Sequence, residues 1–144
     1  MACQISLADW KTNEEAIRSV RDAVFVREQN IPAFCEYDGC DPTCVHVVAN
    51  GTDGGTIGTG RLSEDGRIGR IAVVASHRGS GVGRAMLEQL IRTASDNGLD
   101  QVFLHAQTVA VRFYEQLGFV AEGPVFDEDG IPHRRMAKQL GDSR

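Results

Sequence analysis

With 144 residues, 42% hydrophobic and 24% charged, the chain has the size and composition of one globular domain able to build its core without staples. A formal net charge of −5 excludes the cationic surface that phosphate-backbone binding requires, so no nucleic-acid partner is expected. Met1-Ala2-Cys3-Gln4-Ile5-Ser6 has neither the basic start of a signal peptide nor a long apolar run, so no membrane partner is expected and the cytosol is the expected compartment.

Ile5 and Leu7 alternate with polar neighbours and predict a short first strand over 3–7. Thr12-x-x-Glu15 has the form of a capping box. Ala16, Ile17, Val20, Val24 and Phe25 continue at helical spacing, which predicts a helix from Thr12 to about Glu28, ended before Pro32. Residues 30–44 read as a loop with a turn at Asp38-Gly39. Its carboxylates Glu36, Asp38 and Asp41 are either solvated or an attraction for a cationic amine. Cys35, Cys40 and Cys44, with His46 beyond them, are a conceivable zinc set, but intervals of four and three residues depart from C-x-x-C pairing. Reduced thiols are the main reading, a disulfide is a lesser one, and no metal is expected.

Strands are predicted over 45–49 and 56–62, joined through Asn50-Gly51-Thr52-Asp53-Gly54-Gly55, and then over 67–74 after a hairpin turn at Glu64-Asp65-Gly66. An apolar strand end, Ile71-Ala72-Val73-Val74-Ala75, leads into the glycine-rich turn Arg78-Gly79-Ser80-Gly81-Val82-Gly83. Ala85, Met86, Leu87, Leu90 and Ile91 then mark a helix to about Asn97, which Gly98 is placed to stop. A strand over 102–106 should follow by a right-handed crossover, parallel to 67–74. Thr108 is placed to cap a short helix carrying Tyr114, and strands over 119–126 and 133–140 complete the chain.

The glycine-rich turn opens a helix, so bare backbone amides and a positive dipole end coincide there, a cradle for phosphate. A nucleotide P-loop is excluded because Arg84 and Ala85 stand where Lys and a hydroxyl are needed, and the even spacing of Gly79, Gly81 and Gly83 does not fit G-x-G-x-x-G. Arg78-Gly79-Ser80-Gly81-Val82-Gly83 resembles the [Q/R]-x-x-G-x-[G/A] pyrophosphate loop of the GNAT acetyltransferases. Ala110-Val111-Arg112-Phe113-Tyr114-Glu115-Gln116-Leu117-Gly118-Phe119 resembles that family's second motif, A-x-x-F/L-Y-x-x-x-G-F, in the family's order and spacing. The chain is similar to the family over most of its length. The resemblance implies an α+β, three-layer αβα domain spanning residues 1–144, with a mixed, mostly antiparallel sheet of about seven strands splayed where the cofactor enters.

The resemblance further implies acetyl-CoA as acyl donor and a small-molecule or peptide amine as acceptor, and it allows a homodimer. It assigns the pyrophosphate to Arg78, Gly79, Ser80, Gly81, Val82, Gly83 and Arg84. The pantetheine arm falls to Ile71, Ala72, Val73 and Gln107, and Phe113 joins the cofactor set. Tyr114 is implied as proton donor to the departing thiolate, its alternative being a core aromatic beside Phe113 and Leu117. The family's usual base is a Glu at the position of Arg67, so that carboxylate is missing.

Gly130-Ile131-Pro132-His133-x-x-Met136 resembles the P-H-x-x-M ending of glyphosate-N-acetyltransferase-type members and implies His133 as the base. An imidazole suits proton removal at neutral pH. His105 and His46 compete for that role. Arg70, Glu28 and His105 are the implied acceptor-side residues, with a solvated strand cation as the alternative for Arg70. Phe25-Val26-Arg27-Glu28-Gln29-x-Ile31-Pro32 resembles the opening of small ElaA-like acetyltransferases. The acceptor stays open between an amino sugar, an amino acid, a polyamine and a protein amine. Two rival readings stand beside the enzyme: a GNAT-fold module that holds acyl-CoA without turnover, and a zinc-dependent interaction domain built on the cysteine loop.

Overall fold

The computed structural model describes residues 3–141, so Met1 and Ala2 of the N-terminal hexapeptide lie outside the described residues. Seven strands form two antiparallel sheets: β1 (Gln4–Ala8), β2 (Val45–Asn50), β3 (Thr56–Leu62) and β4 (Ile68–Val73) in sequence order, then β5 (Gln101–Gln107), β7 (Ile131–Gln139) and β6 (Val120–Glu128) with the last strand in the middle. The expected parallel neighbours β4 and β5 meet at a single bridge, Arg67 with Phe103, reinforced by the Phe103 N–H donating to the Gly66 carbonyl at 3.0 Å. Beyond that bridge the two sheets diverge, and the splay is open between β4 and β5.

Two helices sandwich the sheet. The amphipathic helix α1 (Trp10–Arg21) buries Ile17 and Val20 on one face, where Val20 and Val24 pack on Ala72. On the other face α3 (Val82–Asp96) buries Met86, Leu87, Leu90 and Ala94 against Val47, Ile57, Ile68, Val102 and Met136. Glycines in β3 let α3 lie close: a methyl group at Gly58 would meet Met86 Cε at 2.9 Å, and one at Gly60 would meet Leu90 Cδ1 at 3.2 Å. Among the described residues no helix is long and apolar enough to cross a membrane.

Local expectations are corrected in four places. The first helix starts at Trp10, two residues before Thr12, because Asp9 accepts the Thr12 N–H and hydroxyl at 3.0 Å each; Thr12 is the capped residue and Asp9 the cap. That helix does not stay α-helical to Glu28, since Asp22–Glu28 is wound as a π-helix, and Gln29 N–H reaches back to the Val24 carbonyl. The 30–44 loop contains a short helix α2 (Ala33–Glu36) and a 3₁₀ turn at Asp41–Thr43. Thr108 caps nothing with its side chain; it opens a 3₁₀ turn (Thr108–Ala110) whose own backbone bond to Val111 leads into α4 (Val111–Glu115).

Candidate active site

One distortion in β4 creates the wall of the site. Opposite β3, Thr59 pairs with Ala72 and Arg61 with Gly69, so Arg70 and Ile71 together face Gly60 in a bulge. Arg70 sits at φ +52°, a left-handed conformation that a residue with a Cβ adopts only when its surroundings impose it. They do: its guanidinium is 3.3 Å from the Glu36 carboxylate and 3.4 Å from that of Asp38, and Nε and Nη2 donate to the Glu36 carbonyl at 3.2 and 3.0 Å. Glu36 and Asp41 are each only 3% exposed. Arg21, wholly buried, joins them through Nε to Glu36 at 2.6 Å and Nη1 to Asp41 at 2.7 Å, and Arg61 joins Asp41 to Asp38. Glu36 and Asp41 are therefore withdrawn from solvent, Asp38 stays exposed at the edge, and the three acids are matched in number by arginines of α1, β3 and β4. Burial raises Glu36 above the ordinary carboxylate value despite those arginines. For Asp41 burial pushes the same way, but the hydrogen bonds from Arg21 and Arg61 outweigh it and leave the group below that value.

His46 is withdrawn from the chemistry. It is 1% exposed, packs at a tilt against Trp10 with ring centroids 5.5 Å apart, and has Nε2 2.9 Å from the Asp41 carbonyl. The Cys44 thiol points to the Cys40 carbonyl, Cys40 is exposed, and Cys35 lies beside Asp129. Among the described residues no three His, Cys, Asp or Glu side chains converge to hold a metal, so this geometry lends the zinc reading no support.

A cleft of about 250 Å³ fills the splay. Arg70, Ile71, Ala72, Val73 and Arg78 line one wall, His105, Gln107 and Tyr114 the other, and His133 the end. Because the Val74 N–H bonds the Ile57 carbonyl and Ala72 pairs with Thr59, alternation turns the backbone of Val73 into the splay, where Arg78 Nε donates to its carbonyl at 2.9 Å. Arg78 also holds Glu28 through two bonds of 2.6 Å, and Gln107 Nε2 donates to Gln29 at 3.0 Å. The π-helix thus ends on two contacts that reach the cofactor wall. Phe113 stands outside the cleft and packs edge-on against Tyr114 at 5.1 Å.

The turn before α3 has the backbone of a cradle. Gly79 and Gly81 lie at φ +81° and +88°, and Gly81 caps the helix with no side-chain acceptor, so the first-turn amides of Val82, Gly83 and Arg84 point outward unsatisfied. Ser80 turns its hydroxyl to the His77 carbonyl at 2.7 Å.

At the closed end, a type of hairpin favoured by two left-handed residues, Asp129 (φ +56°) and Gly130 (φ +79°), returns β6 into β7 and brings Glu128 over His133. His133 is 7% exposed, and its Nδ1 is 2.7 Å from the Ile131 carbonyl. A carbonyl only accepts, so Nδ1 carries the hydrogen and the lone pair of the neutral ring is on Nε2, facing the cleft. Phe126 stacks on this ring at 6.0 Å and meets His105 edge-on at 5.1 Å, spacing the two imidazoles apart. Glu128 lies between them: Oε1 is 3.1 Å from His105 Nδ1 and 3.7 Å from Arg67, and Oε2 is 3.6 Å from His133 Nε2. Burial would raise Glu128, yet the hydrogen bond from His105 and the neighbouring positive groups hold it below the ordinary value, so it is a carboxylate. Tyr114 is half-buried among Phe113 and Phe119, and burial pushes its phenol up to about 12. Glu128 and Gln29 are the site residues that sequence reasoning missed. The one available signal for Glu128 was its place just before the Asp129-Gly130 hairpin that also precedes His133.

Comparison with known proteins agrees with this fold. The model of the Acetyltransferase (GNAT) domain matches residues 38–140. The uncharacterized N-acetyltransferase YjcF of Bacillus subtilis (strain 168) is 39% identical over 132 residues, covering 88% of this chain and 94% of its own. The crystal structure of an acyl-CoA N-acyltransferase from Pseudomonas aeruginosa superposes with a TM-score of 0.84 at 31% identity, over 94% of this chain and 99% of that one. Escherichia coli ElaA superposes equally well, with a TM-score of 0.84, 29% identity and the same coverage.

Proposed function

Since the chain belongs to the GNAT acetyltransferase family and is an acetyl-CoA-dependent N-acetyltransferase, we propose that its cleft carries the acetyl group directly from the thioester to a primary amine of a small molecule or peptide. In this reading His133 is the base and Tyr114 serves the departing sulfur. The observation that carries it is the His133 ring itself, whose Nδ1–H is held by the Ile131 carbonyl and whose Nε2 is left as an acceptor in the cleft.

The steps balance as follows. An ammonium acceptor gives one proton to His133 Nε2, which later releases it to solvent, and the neutral nitrogen attacks the thioester carbonyl carbon. The backbone at the β4 bulge and Val73 faces the developing oxyanion. As the C–S bond breaks, the Tyr114 phenol passes its proton to sulfur and regains one from the nitrogen that is becoming an amide. A phenol raised to about 12 is fully protonated at working pH. Complete transfer to a less basic thiolate would run uphill, so this exchange is concerted and leaves no tyrosinate. The pyrophosphate rests on the 79–84 turn and the pantetheine arm follows Val73 towards Gln107, with Glu28 and Gln29 closing the groove from the π-helix. The GNAT-fold binding module without turnover is the reading to beat, and thiol release from acetyl-CoA across an amine panel tests it. Release with at least one primary amine is expected; acetyl-CoA binding with no release from any amine would replace the enzyme with the binding module.

A further inference from the structure

Glu128 takes no part in those steps, although the ionisable groups of the cleft converge on it. Two groups lie 3.1 Å from His105 Nδ1, the Arg67 guanidinium, which only donates, and the Glu128 carboxylate, which only accepts; Nδ1 can serve one of them at a time, and with hydrogen on it the ring bonds the Glu128 carboxylate. Its second oxygen and His133 Nε2 are then two acceptors 3.6 Å apart, too far and of the wrong kind to bond each other. One nitrogen with at least two N–H groups could lie about 2.9 Å from both. Arg67 pairs with Glu128 through Oε1 at 3.7 Å, beyond hydrogen-bonding range, and competes with any bound cation for that charge; Oε2 faces His133 instead, and Arg70 is held by Glu36 and Asp38. Asp129, exposed at the rim, adds a second negative charge to the cleft.

We propose that Glu128 is the ammonium anchor of the acceptor site, so that the acceptor class is a primary alkylammonium held between Glu128 Oε2 and His133 Nε2. This rests on the transfer chemistry proposed above and names its substrate class. The anchor aligns one N–H of the bound cation with Nε2, the atom that takes its proton, and so binding and deprotonation share one geometry.

Glu128→Gln keeps the size and hydrogen-bonding capacity and removes the charge. Two acceptors are compared at pH 7: a primary alkylamine acetylated in the panel, and 2,2,2-trifluoroethylamine, which is largely uncharged at that pH. The expected result is a rise of about ten-fold or more in KM for the alkylammonium, with a much smaller change for the fluorinated amine and none for acetyl-CoA. Arg67→Gln removes the competing cation and should lower the alkylammonium KM. Equal effects of Glu128→Gln on both amines, or no effect on the charged one, would overturn the anchor, as would a raised KM in Arg67→Gln. A readout independent of turnover is the ¹⁵N resonance of the His133 ring during titration with ethylammonium chloride, expected to shift in the wild type and not in Glu128→Gln. If the wild type acetylates no amine but shows this shift, the transfer reading falls and the ammonium site stands. Turnover without the shift and without the KM change has the opposite meaning.

Discussion

Arg21, Arg61 and Arg70 meet Glu36, Asp38 and Asp41 at 2.6–3.4 Å, in a largely buried network on one side of β4. On the cleft side four ionisable groups, Arg67, His105, Glu128 and His133, gather at 3.1–3.7 Å, partly open, with an imidazole lone pair unbound. The first set has matched its charges at short range, with Arg21, Glu36 and Asp41 buried. The second set has left acceptors unsatisfied in a cavity, which is what a reactive cation can use. Buried ion pairs add little net stability over an apolar core, but removing one partner strands the other. Here the matched network also holds Arg70 in its left-handed bulge, and so it shapes the wall of the cleft.

If the two clusters differ in this way, substitutions in the first should cost folding and substitutions in the second should cost turnover. Arg21→Met should have the largest effect, a loss of about 3–5 kcal/mol in denaturant unfolding, because Glu36 and Asp41 would be left buried and short of a partner. An Arg21→Met protein of wild-type stability would show that the network contributes nothing to the fold.

His133→Ala should lower kcat/KM by about 10²- to 10⁴-fold, while thermal stability and acetyl-CoA binding remain. Should turnover survive there and be lost in His105→Ala, the base is His105 instead. Tyr114→Phe should slow turnover by about 10²-fold at unchanged acetyl-CoA affinity, since the hydroxyl acts only as the sulfur departs. A wild-type rate returns Tyr114 to the aromatic core beside Phe119.

Gly81→Asp should leave the unliganded melting temperature slightly lowered by strain at φ +88° and abolish the upward shift that acetyl-CoA causes, since the new carboxylate stands where phosphate must lie. An intact ligand-induced shift would move the pyrophosphate elsewhere.

The smallest effect is on acid stability. Hydrogen bonds from Arg61 hold Asp38 well below the ordinary carboxylate value, and Asp41 is also lowered. Their contribution is present above the unfolded value, about 3.9, and is lost as pH falls through the folded values. Glu36, raised by burial, runs the other way and recovers stability as it protonates. Asp38→Asn should therefore flatten the acid limb of melting temperature against pH, and Glu36→Gln should cost more at pH 4 than at pH 7. Parallel pH curves for wild type and Asp38→Asn would contradict this assignment.

Strand order along the chain, the α3 helix with its Gly81 start and Gly98 stop, and the two family motifs were all readable from residue spacing, because turn chemistry and the helical repeat act over a few residues. The π-helical winding of Asp22–Glu28 was not readable, since the same apolar positions serve an α-helix equally well and only the contacts of Glu28 and Gln29 across the groove distinguish them. The cap at Asp9 lay three residues upstream of the expected Thr12, where either residue type can accept a backbone N–H.

By itself the sequence determined the family, the antiparallel pattern, the glycine-rich cradle and the candidates His133 and Tyr114, all of them local patterns. Only tertiary structure decided which charges were matched: Glu36, Asp38 and Asp41 looked like an open acidic loop until Arg21, Arg61 and Arg70 folded onto them, and Glu128 looked like a surface residue until the Asp129-Gly130 hairpin laid it between two imidazoles. Pairing of charges across 15 to 34 residues of chain depends on how the strands and helices pack, and no local spacing encodes it.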